Sequence, residues 1–585
     1  MASAGAGYHL QLFPRTAAAS ACPAASLGSS RKKAQRRTTL LCRAAGGDYF
    51  RIDRRDVLAG LTGVALGVYP NLAVAAGTEP DDSNKNRAKS RRVLWPAHRA
   101  DEHLDLVEKY KKALTKMREL PADDPRNFAR QAAIHEAYCD GHYHLLGAAG
   151  AGNEPFDVHF SWLFAPWHRM YIYFYERILG SLIDDDTFAL PYWNWDAPAG
   201  MALPAMFEDS TSPLYDAKRN PEHVNAYVNF MHPKDGVLIP FDPPKDIQAG
   251  QGSTTTWSRK TSPTSIVRWM KMRDGKNALG ASDFLGGNFS PAVDRNSGTS
   301  GKLESAAHTG IHIWLGNPSM CKDKDNGKVC ELDMGFLGTA SRDPVFYSHH
   351  ANADRLWHIW STRLEGRNFE DQEWLNTSFT FYDKDKSLVR VTVRDFLDPA
   401  KLGYRYEDDE EKKQPWEDSA PDLSSDSKTK ATSTGAGTIN NYFISGSFPK
   451  MKYNLSPLRL TQGQNVELPS VARPKPTTPK QQQVLVFDAV EFSPREEAKF
   501  DVVINVAPEQ AGNLDPRYKE YAGSFASLPR GGGKNTLVVP VELPLDDVLN
   551  DIGAANDGAV NVVIVPRTQG ITIVTKPRIE SKAAY

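Results

Sequence analysis

From His159 to Glu176 the chain reads His-Phe-Ser-Trp-Leu-Phe-Ala-Pro-Trp-His-Arg-Met-Tyr-Ile-Tyr-Phe-Tyr-Glu. Pro166 suits the first turn of a helix, where its missing N–H has no intrahelical bond to lose. His168, Tyr171, Ile172, Tyr175, Leu179 and Leu182 then recur on one helical face, so the spacing turns His168 inward among bulky aromatics. His159 stands on the approach to that helix. A buried imidazole loses its hydration and needs a partner. Alone, such a histidine is more often a satisfied core residue than a ligand. The rest of the chain reverses that balance.

Two further stretches repeat the pattern. Asn127–Gly141 reads as a helix with His135 and Cys139 four apart on one face, and Leu303–Leu315 does the same with His308 and His312. Asp343 can cap, and Pro344 can open, a third helix carrying His349 and His350. These two lie about 100° apart around the helix axis, so only one points squarely inward. The stripe Phe346, His350, Ala353, Trp357, Trp360 is continuous, whereas the His349 stripe meets polar Asn352, and His350 is therefore the inward one. Four helices with apolar faces imply a bundle with inward-facing ligands. Neutral imidazole suits Cu, Zn, Fe and Ni. The Glu and Glu-x-x-His pattern of di-iron bundles is missing. A catalytic zinc needs three histidines and a water. Two all-histidine triads favour a copper pair, which can share the electrons needed to cleave O₂.

The 585 residues, 40% of them hydrophobic, suffice for two to four domains. A formal charge of −1 gives no electrostatic case for nucleic acid or acidic lipid. Five cysteines are too few for a disulfide scaffold. Residues 1–47 lack Asp and Glu and carry Arg and Lys among Ala and Ser, the composition of an organelle transit peptide. Arg54-Arg55, the short apolar run Val57–Val68 and Ala73-Val74-Ala75 follow, forming a twin-arginine signal with a small-residue cleavage site. That run is too short for a stable membrane span. The order of the two signals predicts plastid import and then the thylakoid lumen. Asp101–Leu120 reads as an amphipathic helix, and residues 184–300 as packed loops. Residues 374–394 alternate like strands. From 407 to 440 the chain is charged, then rich in Ser, Thr and Gly, as linkers are. Beyond it, Gln483–Phe487, Phe500–Val506, Thr536–Leu543 and Ala559–Val565 read as strands of an antiparallel β domain.

The spaced motifs His135-x-x-x-Cys139, His159-x-Ser161-Trp162 and Pro166-Trp167-His168-Arg169 resemble the first copper motif of plant polyphenol oxidases, the catechol oxidase and tyrosinase family. His308-x-x-x-His312 with Asp343-Pro344-x-Phe346-x-x-His349-His350-x-Asn352-x-Asp354-Arg355 resembles the second. Glu373-Trp374-Leu375, Tyr404-Arg405-Tyr406 and Lys499-Phe500-Asp501-Val502 resemble the family's later motifs, so the likeness spans essentially the whole chain. It implies a mainly α catalytic core, a four-helix bundle holding a type 3 dicopper site among long loops, plus a C-terminal antiparallel β-sandwich-like domain. The parts are then a chloroplast transit peptide (1–47), a thylakoid signal (48–76), the catalytic domain (77–372), a post-core segment ending in the Tyr-x-Tyr motif (373–406), a protease-sensitive linker (407–440) and a shielding β domain (441–585).

The resemblance further implies that His135, His159 and His168 bind one copper, and His308, His312 and His350 the other. The implied activity is oxidation of o-diphenols to o-quinones, with O₂ as co-substrate reduced to water. The alternatives are a tyrosinase that also hydroxylates monophenols and, from another class, a non-catalytic O₂ carrier of haemocyanin type. The implied partners are small phenols and O₂, with no nucleic acid; the oligomeric state is left open. Cys139 is expected to form a thioether with His159, as at matching positions in relatives. Glu304 matches a family Glu that holds a water, and Thr309 replaces the usual partner Asn. Leu337 stands at the gate position, often Phe, and Ile313 is an expected apolar wall. Asp354 can orient a ligand histidine from behind or, alternatively, form a helix-surface salt bridge with Arg355 or Arg363. His142, His144 and His358 lack the ligand spacing. Relatives carry cysteines near the mature N-terminus, but residues 77–134 contain none, whereas Cys321 and Cys330 flank a short loop that a disulfide could close.

Overall fold

The computed structural model describes residues 92–139, 157–197, 200–221, 223–224, 228, 284–287, 300–316, 332–364, 366–407, 457–474, 481–514, 518–530 and 536–583; of residues 39–43, 49–53, 144–146 and 154–155 it describes the strand backbone. The targeting segments apart from the strands at 39–43 and 49–53, the 408–440 linker, Cys321, Cys330 and the His142 and His144 side chains lie outside this description.

The catalytic part is helical. Helix α1 runs Leu104–Glu119, α2 Phe128–Cys139 and α3 Phe164–Leu182, with Pro166 in its first turn, where no N–H is needed. The segment Leu303–His308 winds as a π-helix and continues into α4, Thr309–Gly316. Helix α5 spans Val345–Thr362, and Asp343 accepts the Val345 N–H at 2.9 Å as the sequence leads one to expect of a cap. The same carboxylate takes both Arg219 nitrogens, at 2.8 and 2.7 Å, so a 3₁₀ turn and a distant loop are tied to the start of α5.

Aromatic packing fixes α2, α3 and α5 against one another. Tyr175 and Tyr347 stack with centroids 3.5 Å apart, and Tyr171 donates to the Gln131 carbonyl at 2.7 Å. Each such pair contributes about 0.5–1.5 kcal/mol beyond its area. The N-terminal part is anchored without cysteines. Strand β1 (Arg92–Pro96) pairs in parallel with β2 (Pro191–Tyr192) and β5 (Tyr404–Tyr406), and Arg92 meets buried Glu176 at 3.2 Å. Between them in sequence, β3 (Ser378–Tyr382) and β4 (Leu388–Thr392) form a hairpin where alternation predicts strands.

The C-terminal part is a two-sheet sandwich. One sheet joins β6 (Leu458–Arg459), β8 (Gln481–Phe492), β11 (Leu537–Pro544), β13 (Thr572–Ile573) and β14 (Arg578–Ala583); the other is ordered β7 (Val466–Ala472), β12 (Ala559–Pro566), β9 (Ala498–Ile504), β10 (Tyr521–Ser527). Side chains alternate across a strand. Phe500, Val502, Ile504, Val560, Val562 and Ile564 therefore fill the sandwich core, while Val503, Val563 and Val565 join the core of the helical part. The second sheet is thus buried on both faces, and the helical part covers its outer one.

Candidate metal centre

The helices bring two groups of buried side chains together. His135, Cys139, His159 and His168 each offer an atom within 4.8 Å of the others, and so do His308, His312, His349 and His350. His135 and Cys139 come from α2, His168 from α3, and His159 from the turn before α3. The π-helical segment presents His308, α4 presents His312, and α5 presents the adjacent pair. The groups face each other. His168 and His350 stack 4.2 Å apart with planes 10° from parallel, and the rings of His159 and His308 lie 5.9 Å apart. Phe164 and Phe346 wall the space, 4.5 Å from His308 and 4.1 Å from His350.

Hydrogen bonds assign tautomers. His159 donates from Nδ1 to Asp157 at 2.9 Å, His168 to the Phe164 carbonyl at 2.8 Å, and His312 to the Met334 carbonyl at 3.0 Å. His308 faces the Glu304 carbonyl in the same way at 3.3 Å. Each of these rings then keeps a lone pair on Nε2, the arrangement typical of metal-binding histidines. His349 is reversed. Its Nδ1 accepts from the Trp195 indole at 3.0 Å, so in the neutral ring the proton sits on Nε2. Burial holds every one of these imidazoles below its ordinary pKa, His312 down to about 3, so all are neutral at physiological pH. Their Nε2 atoms are buried without a hydrogen-bond partner. Seven such orphans in one cavity would cost several kcal/mol. Cations that bind imidazole lone pairs resolve that cost for the rings other than His349, so the donor set fits two copper ions.

The choice of His350 over His349 acquires a different reason here. Asn352 is as buried as Phe346, because it donates to Asp196 at 2.9 Å, which also pairs with Arg355 at 3.1 Å. The polar stripe is therefore an interior network, and Trp195 is what sets His349 apart. The loop that supplies Trp195 and Asp196 is packed as expected, with the Trp193 N–H on the Ser348 carbonyl at 2.9 Å.

Two of the supporting residues named from the sequence have other partners in the fold. Asp354 has both oxygens taken, Oδ1 by Arg169 and Oδ2 by Tyr404 and Tyr406. It holds the neighbour of His168 and the Tyr-x-Tyr strand, with no bond to a ligand ring. Arg169 also lies flat on Trp357, 3.8 Å from its centroid. Thr309 donates its hydroxyl proton to the Glu304 carbonyl at 2.9 Å, so that donor is not available to a water beside the metal. Glu304 itself is buried, and burial pushes its carboxyl up to about 8; Oε1 accepts the Phe160 N–H at 2.8 Å. Ile313 is half-buried. Leu337 is fully buried, and its N–H is bonded to the Pro529 carbonyl of the sandwich at 2.9 Å. The position read as a gate is therefore in contact with the sandwich.

Sequence reasoning missed Asp157, Trp195 and Arg530, which touch the site only through the fold. The one local signal was Asp157 two residues before a candidate ligand.

Residues 125–363 match the family profile described as the common central domain of tyrosinase, residues 368–422 the polyphenol oxidase middle domain, and residues 456–580 the chloroplastic polyphenol oxidase C-terminal domain. A chloroplastic (+)-larreatricin hydroxylase of Larrea tridentata is 34% identical, over 88% of this chain and 88% of its own. A latent chloroplastic polyphenol oxidase of Prunus armeniaca is 38% identical over 80% and 72%, and catechol oxidase B of Solanum tuberosum 36% over 82% and 74%. Among solved structures, latent aurone synthase superposes with a TM-score of 0.66 at 31% identity, covering 85% of this chain and 90% of its own. Latent apple tyrosinase gives 0.64 at 34%, covering 84% and 98%.

Proposed function

The chain belongs to the plant polyphenol oxidases, and on that footing we propose that His135, His159 and His168 hold one copper and His308, His312 and His350 the other. It is a copper-dependent oxidase of o-diphenols, forming o-quinones while O₂ is reduced to water. The observation that carries the ligand assignment is the pair of facing, buried, neutral imidazole groups with unpartnered Nε2 atoms. When bound, the copper pair supplies Lewis acidity and electron transfer between phenol and O₂. The protein holds the rings from behind through Asp157 and the carbonyls of Phe164, Glu304 and Met334, and Phe164 and Phe346 line the space between them.

Cys139 is read as the thioether partner of His159. Its buried Sγ lies within 4.8 Å of a His159 ring nitrogen, and a link there would immobilise one ligand. Diphenol oxidation is read as outweighing monophenol hydroxylation. A monophenol must lose a proton with a pKa near 10, and Thr309 spends its donor on the backbone. The second reading, substantial hydroxylase activity, is favoured by a relative named as a hydroxylase.

The relatives are chloroplastic, and the chain is a plastid protein. The twin-arginine signal supports the thylakoid lumen as its destination. The division into 1–47, 48–76, 77–372, 373–406, 407–440 and 441–585, with the last part shielding the site, rests on the motif order and on the Leu337–Pro529 contact. Cys321 and Cys330 are read as a disulfide closing their loop. Among the described residues no helix is long and apolar enough to cross a membrane.

The test is turnover of catechol and tyramine by the copper-loaded chain before and after limited proteolysis, with copper quantified. Catechol oxidation with about two coppers per chain is the expected result. Full copper with no oxidation of either phenol would overturn the reading.

A further inference from the structure

The segment Leu528-Pro529-Arg530, at the end of β10, brings the sandwich to the metal centre. Pro529 meets the Leu337 N–H. Arg530 goes further: its guanidinium pairs with Asp157, and the pair is largely buried. The other Asp157 oxygen accepts from both the backbone N–H of His159, at 2.8 Å, and its Nδ1–H, at 2.9 Å. One carboxylate is therefore clamped between an arginine of the C-terminal part and an imidazole of the metal centre.

The next residue is caught by the same segment. Phe160 has φ 54°, a left-handed conformation that is unusual for a bulky side chain. Its N–H is held by Glu304 at 2.8 Å, its ring packs against the core of the sandwich, and Arg530 lies over that ring, 4.6 Å from the centroid. Strain of this kind persists only where the surroundings impose it. Here part of the surroundings belongs to the sandwich, so both the ring and the backbone at His159 are fixed across the interface.

We propose that Arg530 is a positioning residue for His159, acting through Asp157, so that the C-terminal part tightens the first metal position as well as covering it. This rests on His159 being a copper ligand. A carboxylate behind a metal-bound imidazole orients the ring and makes it a better donor, and losing such a partner typically weakens metal binding 10–100-fold. Arg530 supplies the charge and direction that hold this buried carboxylate in place. The Arg530–Asp157–His159 chain touches one triad, so its effect falls on one of the two coppers.

The experiment is copper release to a chelator, at constant pH, from the full-length copper-loaded chain. In Arg530→Met one of the two coppers should leave about tenfold faster, with the other unchanged. Arg530→Lys should restore part of the difference, since it keeps the charge but loses the fork geometry. Lys302→Met is the control. Lys302 is buried at the same interface, with Nζ 3.5 Å from the Glu542 carbonyl, and has no part in the Asp157 chain. Unchanged release in Arg530→Met, equal acceleration of both coppers, or the same acceleration in Lys302→Met would overturn the proposal. Failure of the ligand assignment shows separately, as fewer than two coppers in the unmodified chain, and the proposal falls with it.

Discussion

The indole N–H of Trp195 donates to Nδ1 of His349 at 3.0 Å and so leaves the proton of that neutral ring on Nε2, a bond that its neighbour His350 does not receive. Two adjacent, equally buried histidines are thereby given different chemistry by one side chain 154 residues away. The expected outcome is asymmetric. His350→Asn should bring copper content down to about one per chain, whereas His349→Asn should keep about two. Trp195→Phe should also keep two, because His350 does not depend on it. Metal quantification on the purified variants decides. Equal loss from His349→Asn and His350→Asn would mean that both rings bind.

Cys139 and His159 should leave a protease digest as one cross-linked peptide, lighter by two hydrogens than the separate peptides combined. Cys139→Ser should give two separate peptides while retaining the fold, since a buried cysteine behaves as a small apolar side chain. Mass spectrometry of the alkylated digest reads this directly. A separately migrating, alkylated Cys139 peptide would refute the link.

Cutting within residues 407–440 and removing the sandwich should raise catechol turnover. A change on the docking face should do so without any cut. Val563→Asp places a charge where the outer face of β12 meets the helical core, and burying an unpaired carboxylate costs several kcal/mol. The intact variant should therefore turn over catechol at least about tenfold faster than the unmodified chain, that factor being worth about 1.4 kcal/mol. The same rate in all three forms would show that the sandwich does not obstruct the site.

Dopamine should be turned over faster than tyramine by the activated enzyme. Thr309→Asn should narrow the gap, because an amide offers two donors where the Thr309 hydroxyl has committed its one to Glu304. Paired initial rates on the two amines are sufficient. Equal rates in the unmodified enzyme would contradict the first statement, and an unchanged ratio in the variant the second.

Asp216 gives a pH prediction of definite sign. Burial first, and then the nearby Asp333 carboxyl, raise its pKa from 3.8 to about 6. A carboxyl whose folded pKa exceeds the unfolded one is favoured in the folded state when protonated. Its contribution is thus present below about pH 4 and lost as pH rises toward 6. Asp216→Asn should stabilise the protein by about 1–2 kcal/mol at pH 7 and make little difference near pH 4. The amide oxygen can still accept the Lys218 N–H, which lies 2.7 Å from Asp216 Oδ1. Thermal melts at the two pH values test it. Asp333 opens the turn whose Met334 carbonyl holds His312.

What could be read from the sequence was what is local. Proline and aspartate at the start of α5, the helical recurrence around His168 and the four-residue spacing of His308 and His312 all act within one or two turns. The strands β8, β9, β11 and β12 were likewise legible as apolar runs between turn residues. Strand β10 was not: Tyr521-Ala-Gly-Ser-Phe-Ala-Ser lacks β-branched residues and earns its place by burial on both faces. The π-helical turn at Leu303–His308 escaped because an i to i−5 bond leaves no periodic trace that differs from α over one turn. The partners of Asp354 were out of reach for a related reason. Its nearest charges in sequence are on its own helix, but Arg169 lies 185 residues upstream and is delivered by the packing of α3 on α5.

If a cut in residues 407–440 releases the sandwich, the doubly buried sheet makes that release hard to reverse. Val503, Val563 and Val565 leave the helical core as a set when the sandwich departs, and water meets an apolar strand surface that the intact chain never shows. A freed fragment with such a face has a strong tendency to stick to another of its kind, and each such encounter withdraws it from rebinding. A sandwich severed and released in this way would be lost to rebinding, and only a newly made chain would carry it docked again.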